Sequence, residues 1–164
     1  MQHERREWSA LVLAALAAAV VLRAGAQFRQ MHRDELIVPG PGVTQIRMLS
    51  DYFPALAGAT GDTEVYILDG DEPGATAFVL GGTHPNEPSG LMTAVILVER
   101  AQVKAGRLIV VPRGNRSGFT HNDPQEGSPQ HFTLTASDGS ARAFRFGSRA
   151  TNPLDQWPDP DTYI

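Results

Sequence analysis

The sequence predicts an α/β fold behind an N-terminal apolar helix. Three observations carry this. Trp8 to Leu22 is apolar except for Ser9. Residues 77 to 112 read strand, loop, helix, strand, the unit that joins two parallel strands by a crossover helix. A glycine-rich loop sits at the carboxyl end of the first strand, where open α/β sheets place ligands.

The apolar stretch is short for a spanning helix, which needs about 20 residues, and suits the core of a signal peptide. Ala24-Gly25-Ala26 supplies a small-x-small cleavage pattern, while Arg23 interrupts the approach to it. A signal peptide and an uncleaved anchor both fit; a buried Ala-rich helix is disfavoured because the stretch has no polar face. Residues 1 to 26 are therefore assigned to export or membrane attachment, which places the remainder outside the cytoplasm.

Residues 27 to 42 form a polar connector ending in Pro39-Gly40-Pro41-Gly42. Ile46, Leu49 and Phe53 lie near helical spacing, which predicts a helix from Val43 to Phe53, closed by Pro54. Glu64 to Leu68 is a strand candidate bounded by Asp69-Gly70. Ala77 to Leu80 is wholly apolar, as in a strand covered on both faces. Leu91, Val95, Val98 and Val103 mark one face of a helix over 91 to 104, with Gly106 as its stop. Arg107 to Pro112 is the next strand, and Arg113 follows it onto the same rim as the loop. Beyond Gly114 periodicity is lost, with Phe132-Thr133-Leu134 and Phe144-Arg145-Phe146 as short strand candidates.

Of the 164 residues, about 100–120 are left to build a core, enough for one small layered domain over 43 to 164. The formal charge is −4 and basic residues do not cluster, which argues against nucleic acid as a partner. Arg142, Arg145 and Arg149 form a thin basic string that reads as solvated loop. With no cysteine, thiol catalysis, disulfides and Cys-based zinc sites are excluded, so a metal would be held by His, Asp or Glu.

His84 and Glu87 are the central candidates. Zinc takes imidazole nitrogen and carboxylate oxygen at similar short distances, and two ligands three residues apart on a tight loop can converge on one ion. H-x-x-E alone is a weak pattern, and His32-Arg33-Asp34-Glu35 matches it too. That second match has no strand before it and reads as a solvated charge cluster. The first has a strand, two glycines and a helix around it, although a plain strand-helix turn is compatible with the same residues.

Gly81-Gly82-Thr83-His84-Pro85-Asn86-Glu87-Pro88-Ser89-Gly90 resembles the first metal motif of the succinylglutamate desuccinylase/aspartoacylase family, within the zinc carboxypeptidase superfamily. The usual form is G-G-T-H-G-N-E; Pro85 replaces the glycine. The stretches 111–127 and 147–161 resemble an exported branch of the same family, so the likeness spans roughly 43 to 164. It implies an incomplete mixed, largely parallel sheet with flanking helices, of zinc carboxypeptidase type. It implies Zn2+ as cofactor, His84 and Glu87 as two of its ligands, and Arg113 as the cation for a carboxylate of a small acidic N-acyl or ester substrate. The implied reaction is hydrolysis of an amide or ester bond.

The family's third ligand, a His in a later D-L-H segment, has no counterpart here, nor has its catalytic Glu. His121 and His131 are the only later histidines, in different surroundings. No catalytic residue is therefore assigned within this chain, which is expected to be an inactive N-terminal portion of a longer enzyme. The alternative is a non-catalytic exported fragment or interaction protein with at most weak metal binding. An interaction protein would show an exposed apolar patch around Phe144, Phe146 and Trp157.

Overall fold

The computed structural model describes residues 2–31, 33–122 and 129–155. The chain divides into two compact units, Met1–Arg33 and Asp34–Ile164. His32 and Trp157, both singled out in the sequence, lie outside the described residues.

The first unit is one helix, α1 (Gln2–Met31). It runs past the expected boundary at residue 26 and straight through Ala24-Gly25-Ala26. Within it, Trp8–Gln30 is 23 residues long and apolar enough to cross a membrane. At 1.5 Å per residue that is about 35 Å, against a hydrocarbon core of about 30 Å. The sequence reading had ended the stretch at Arg23, but a single Arg near a helix end can reach the interface along its own stem.

The second unit is a mixed sheet with one covering helix and a separate hairpin. Its elements are β1 (Gln45–Met48), β2 (Glu64–Asp69), β3 (Glu72–Leu80), α2 (Pro88–Arg100), β4 (Ala105–Val111), β5 (His131–Thr135) and β6 (Ala141–Arg145). The strand order is β1-β2-β4-β3, with β5-β6 apart. β3 and β4 are parallel, with Phe78 opposite Ile109 and Leu80 opposite Val111. The β1–β2 and β2–β4 pairs are antiparallel. The sheet is thus mixed, but among the described residues its parallel pairing is confined to β3–β4, less than the largely parallel expectation.

The central strand β2 is buried on both faces, from Val65 to Leu68. Tyr66, Leu68 and Val110 pack with Leu91, Ala94, Val95 and Val98 of α2 in the core. Pro88 opens α2 as its first residue, where the missing N–H costs nothing. Ala101 leaves it in an extended conformation, so the helix ends before the expected residue 104. Gly106 is not its stop: it lies inside β4 at φ +77°, where an added Cβ would meet the Ala75 oxygen at 2.1 Å. Its role is close approach of β4 to β3.

Three further expectations change. Residues 43 to 53 do not form a helix. Gln45–Met48 pairs with β2 and a short 3-10 turn, Leu49–Asp51, follows. Ile46 and Phe53 are exposed, so their helical spacing marks no buried face. The Thr44 hydroxyl donates to the Ile67 carbonyl and fixes the strand start. β3 is an edge strand with Phe78 and Leu80 exposed, not a strand covered twice. Around it, Leu49, Tyr52, Val65, Ile67, Ile109 and Val111 line an open apolar groove of about 470 Å³ on the face away from α2. Phe144, expected on an exposed patch, is buried and stacks on Phe132, with Phe146 edge-on to the same ring.

The connector is packed rather than loose. Ile37 joins the core, and the Gly40 N–H donates to the Val98 carbonyl. Glu99 holds the Val38 N–H and a two-armed pair with Arg142. Arg145, read as part of a solvated string, is wholly buried. It donates to the carbonyls of Phe119 and Gln130 and to that of Phe146, tying the 117–120 turn to the hairpin. Burial pushes its guanidinium down from the ordinary value.

Candidate metal centre

The metal-motif loop leaves β3 at Gly81, whose N–H donates to the Val111 carbonyl. The Gly81 and Gly82 carbonyls then accept from Gly114 and Asn115, which ties the loop to the segment after β4. Gly82 has φ +56°, and a Cβ there would meet the Pro112 oxygen at 2.7 Å and the Phe119 ring at 2.9 Å. Only glycine makes this turn without strain. The sequence expectation that both segments share one rim holds.

Pro85, the departure from the family pattern, is fully buried. Its ring sits where side chains at Gly118 and Gly147 would otherwise stand: a Cβ would lie 2.8 Å from Pro85 Cγ in the first case and 2.6 Å from Pro85 Cβ in the second. The Gly147 N–H also donates to the Pro85 carbonyl at 3.2 Å. The proline is accommodated by two glycines on other segments.

The Glu87 N–H donates to the His84 carbonyl at 2.9 Å, closing a turn that puts both side chains on one side. His84 Nδ1 lies 3.2 Å from Glu87 Oε2, with the two side chains 37% and 54% exposed. Two ligand atoms held about 2.0–2.1 Å from a tetrahedral zinc are themselves about 3.3 Å apart. The pair therefore fits two corners of such a site, and it is open to solvent. Among the described residues no third His, Asp or Glu joins them. His121 does not: its backbone carbonyl accepts from Ser148, and its Nδ1 is buried without a partner. His131 is the first residue of β5, opposite Arg145.

Arg113 stands where the sequence placed it, just after β4, and its guanidinium is engaged by two glutamates. Its side chain is 4% exposed and pairs with Glu35 Oε1 at 2.9 Å and Glu64 Oε2 at 3.4 Å. It also donates to the Glu35 carbonyl. A buried guanidinium already neutralised by a buried carboxylate has no reach to the rim. Glu35 is 2% exposed and its second oxygen accepts the Arg145 N–H at 3.0 Å. It is an interior hub, not the solvated charge that its sequence surroundings suggested.

The arginine that does reach the pair is Arg149, whose Nη1 lies 2.8 Å from Glu87 Oε1. Sequence reasoning had set it aside. It was read as part of a thin basic string and lies in the 147–161 stretch, but a contact 62 positions from Glu87 leaves no trace in local spacing. No protein-family model, curated protein or solved structure matches the chain.

Proposed function

We propose that this chain carries two zinc ligands, His84 and Glu87, of an amide- or ester-bond hydrolase of the succinylglutamate desuccinylase/aspartoacylase type, on a carboxypeptidase-like sheet. The observation that carries the reading is the 3.2 Å approach of His84 Nδ1 and Glu87 Oε2 at the carboxyl end of a parallel strand. The motif residues that produce it support the same reading. Zinc at such a site polarises a carbonyl and makes water nucleophilic near neutral pH. The chain's own residues present the imidazole and carboxylate, and Arg149 holds the second carboxylate oxygen. A catalytic zinc takes three protein ligands and needs a general base. With two ligands converging among the described residues, the expectation is weak zinc binding and no turnover by this chain alone. We read α1 as a signal peptide or membrane anchor, since an apolar helix of spanning length stands near the N-terminus. The second unit would then belong outside the cytoplasm.

Titration of the full chain in detergent micelles against a chromophoric zinc chelator tests the reading. Wild type should withdraw a small, saturable fraction of the zinc from a weak chelator, and His84→Ala and Glu87→Ala should each abolish this. Equal zinc uptake by both variants and wild type would sink it. Zinc-dependent cleavage of N-acyl amino acids that disappears in His84→Ala would show that two ligands suffice.

The second reading, an interaction protein, draws on the uncovered apolar face around Phe78 and Leu80. It predicts no zinc uptake and self-association through that face.

A further inference from the structure

We infer that the open apolar face of the sheet docks on a lipid surface, that of the bilayer which α1 would enter. The inference rests on the anchor alternative for α1 given above and is independent of the zinc reading.

Strand register defines the face. Gln45, Ile67, Ile109 and Phe78 form one row across the sheet, and in the next row Arg47 stands opposite Val65 and Leu80 opposite Val111. α2 packs on the other side, against Tyr66, Leu68 and Val110. On the face away from it Phe78 is 61% exposed, and Tyr52, at the margin of the groove, is exposed to the same extent. Leu80 and Phe53 are exposed as well. Tyrosine, phenylalanine and leucine are residue types that settle at a membrane–water interface.

The place where the chain from α1 enters the second unit decides the occupant. Only His32 and Arg33 separate Met31, the last residue of α1, from Asp34. Three steps of about 3.6 Å limit that span to about 11 Å. From there the chain is fixed at once: Asp34 pairs with Arg116 and Glu35 with Arg113, each at 2.9 Å. Arg113 also reaches Glu64 at 3.4 Å. Arg113 and Glu64 are the chain neighbours of Gly114 and Thr63, which line one end of the groove together with Leu49 and Tyr52. The tether therefore leaves the folded unit at that end of the sheet. With α1 in a bilayer, so short a tether presents lipid to this end at an effective concentration on the order of millimolar or higher, whereas a free partner has to arrive from solution.

The charges around the face leave the attraction to apolar area. Asp51 accepts from the Met48 N–H, and Asp62 accepts from the Ser50 N–H and hydroxyl. Arg107, at the far end of the groove, is paired with Asp69. The fitting surface is thus zwitterionic lipid, and the contact should resist salt, which screens charges and not apolar burial.

The chain has no cysteine, so a single introduced one carries an environment-sensitive fluorophore at a chosen place. The full chain is reconstituted in phosphatidylcholine vesicles that contain some nitroxide-labelled phosphatidylcholine, with the fluorophore on Tyr52→Cys, Leu36→Cys or Ser137→Cys. Leu36 is exposed and close in sequence to α1, so it reports the anchor, while Ser137 is exposed in the turn between β5 and β6. The label at position 52 should shift to the blue and be quenched severalfold more than that at 137, at low and at high salt. Phe53→Asp combined with Phe78→Asp should remove most of this quenching, with the label at 36 still quenched and the far-UV circular dichroism unchanged. A label at 52 quenched no more than that at 137, beside a quenched label at 36, would overturn the inference and leave the anchor standing. An unquenched label at 36 would overturn both. Quenching at 52 that salt removes, or that survives the two aspartates in a folded chain, would also overturn the inference. So would a blue shift without nitroxide quenching, which would show that a second copy covers the face.

Discussion

The loss of Glu35 should damage this domain severely. Its carboxylate is 2% exposed and compensates Arg113, itself 4% exposed. Its other oxygen caps the backbone N–H of Arg145. In Glu35→Ala, Arg113 keeps the Glu35 backbone carbonyl and the longer 3.4 Å contact to Glu64, and its Nε has no partner to begin with. Removing one partner of a buried ion pair costs about 3–5 kcal/mol, because the remaining charge stays in the interior. An orphaned buried N–H adds about 1–3 kcal/mol, and the two losses overlap because both regions relax together. A total of about 3–5 kcal/mol is a large share of the roughly 5–15 kcal/mol that holds an ordinary domain together. Urea unfolding of the full chain in micelles, followed by far-UV circular dichroism, measures it, with the exposed Glu72→Ala as control. A loss below about 1 kcal/mol would refute the placement of Glu35 as an interior hub.

Gly147→Ala should displace the metal loop, since its Cβ would lie 2.3 Å from the Gly118 carbonyl oxygen and 2.6 Å from Pro85 Cβ. A cost of about 1–3 kcal/mol and reduced zinc uptake are expected; unchanged uptake would show that the loop tolerates the shift. The Arg142 guanidinium hydrogen-bonded to Glu99 holds that carboxyl below the ordinary carboxylate range, partly offset by burial. The folded state thus binds the proton less readily than the unfolded state. Its contribution is complete above the ordinary carboxylate range and fades as pH falls through that range toward the depressed value. The stability gap between wild type and Arg142→Met should therefore narrow on acidification, and a gap that widens would reverse the sign. Phe78→Lys, at an edge strand position 61% exposed, should change stability by less than about 0.5 kcal/mol while reducing self-association in sedimentation velocity. An unchanged association constant would show that copies meet elsewhere.

The local pattern of residues decided the parts of this fold that depend on nearest neighbours. The βαβ order of 77–112 was legible because a helix long enough to cross over must show its apolar stripe in Leu91, Val95 and Val98. The His84–Glu87 turn was legible because both side chains belong to one loop, and the geometry of four consecutive residues is short-range. The two short strands of the hairpin were legible from Phe132 and Phe144, which stack across it. The N-terminal apolar helix needed only composition.

What remained hidden depends on residues far apart in the chain. The spacing of Ile46, Leu49 and Phe53 resembled a helix, and pairing with β2 overrode it, because an edge strand gains backbone hydrogen bonds that a local period does not register. The apolar run of β3 did not reveal that, among the described residues, it pairs with a strand on one side only, since the two edges of a sheet are assigned by topology alone. Glu35 and Arg113 lie 78 positions apart, and Glu87 and Arg149 lie 62 apart. Charge is a side-chain property that sequence displays, but whether a charge is neutralised, buried or left at a rim depends on which segments the sheet and its loops bring together. The sequence thus displays which side chains carry imidazole, carboxylate and guanidinium groups, and tertiary structure alone decided that Arg149 rather than Arg113 stands beside Glu87.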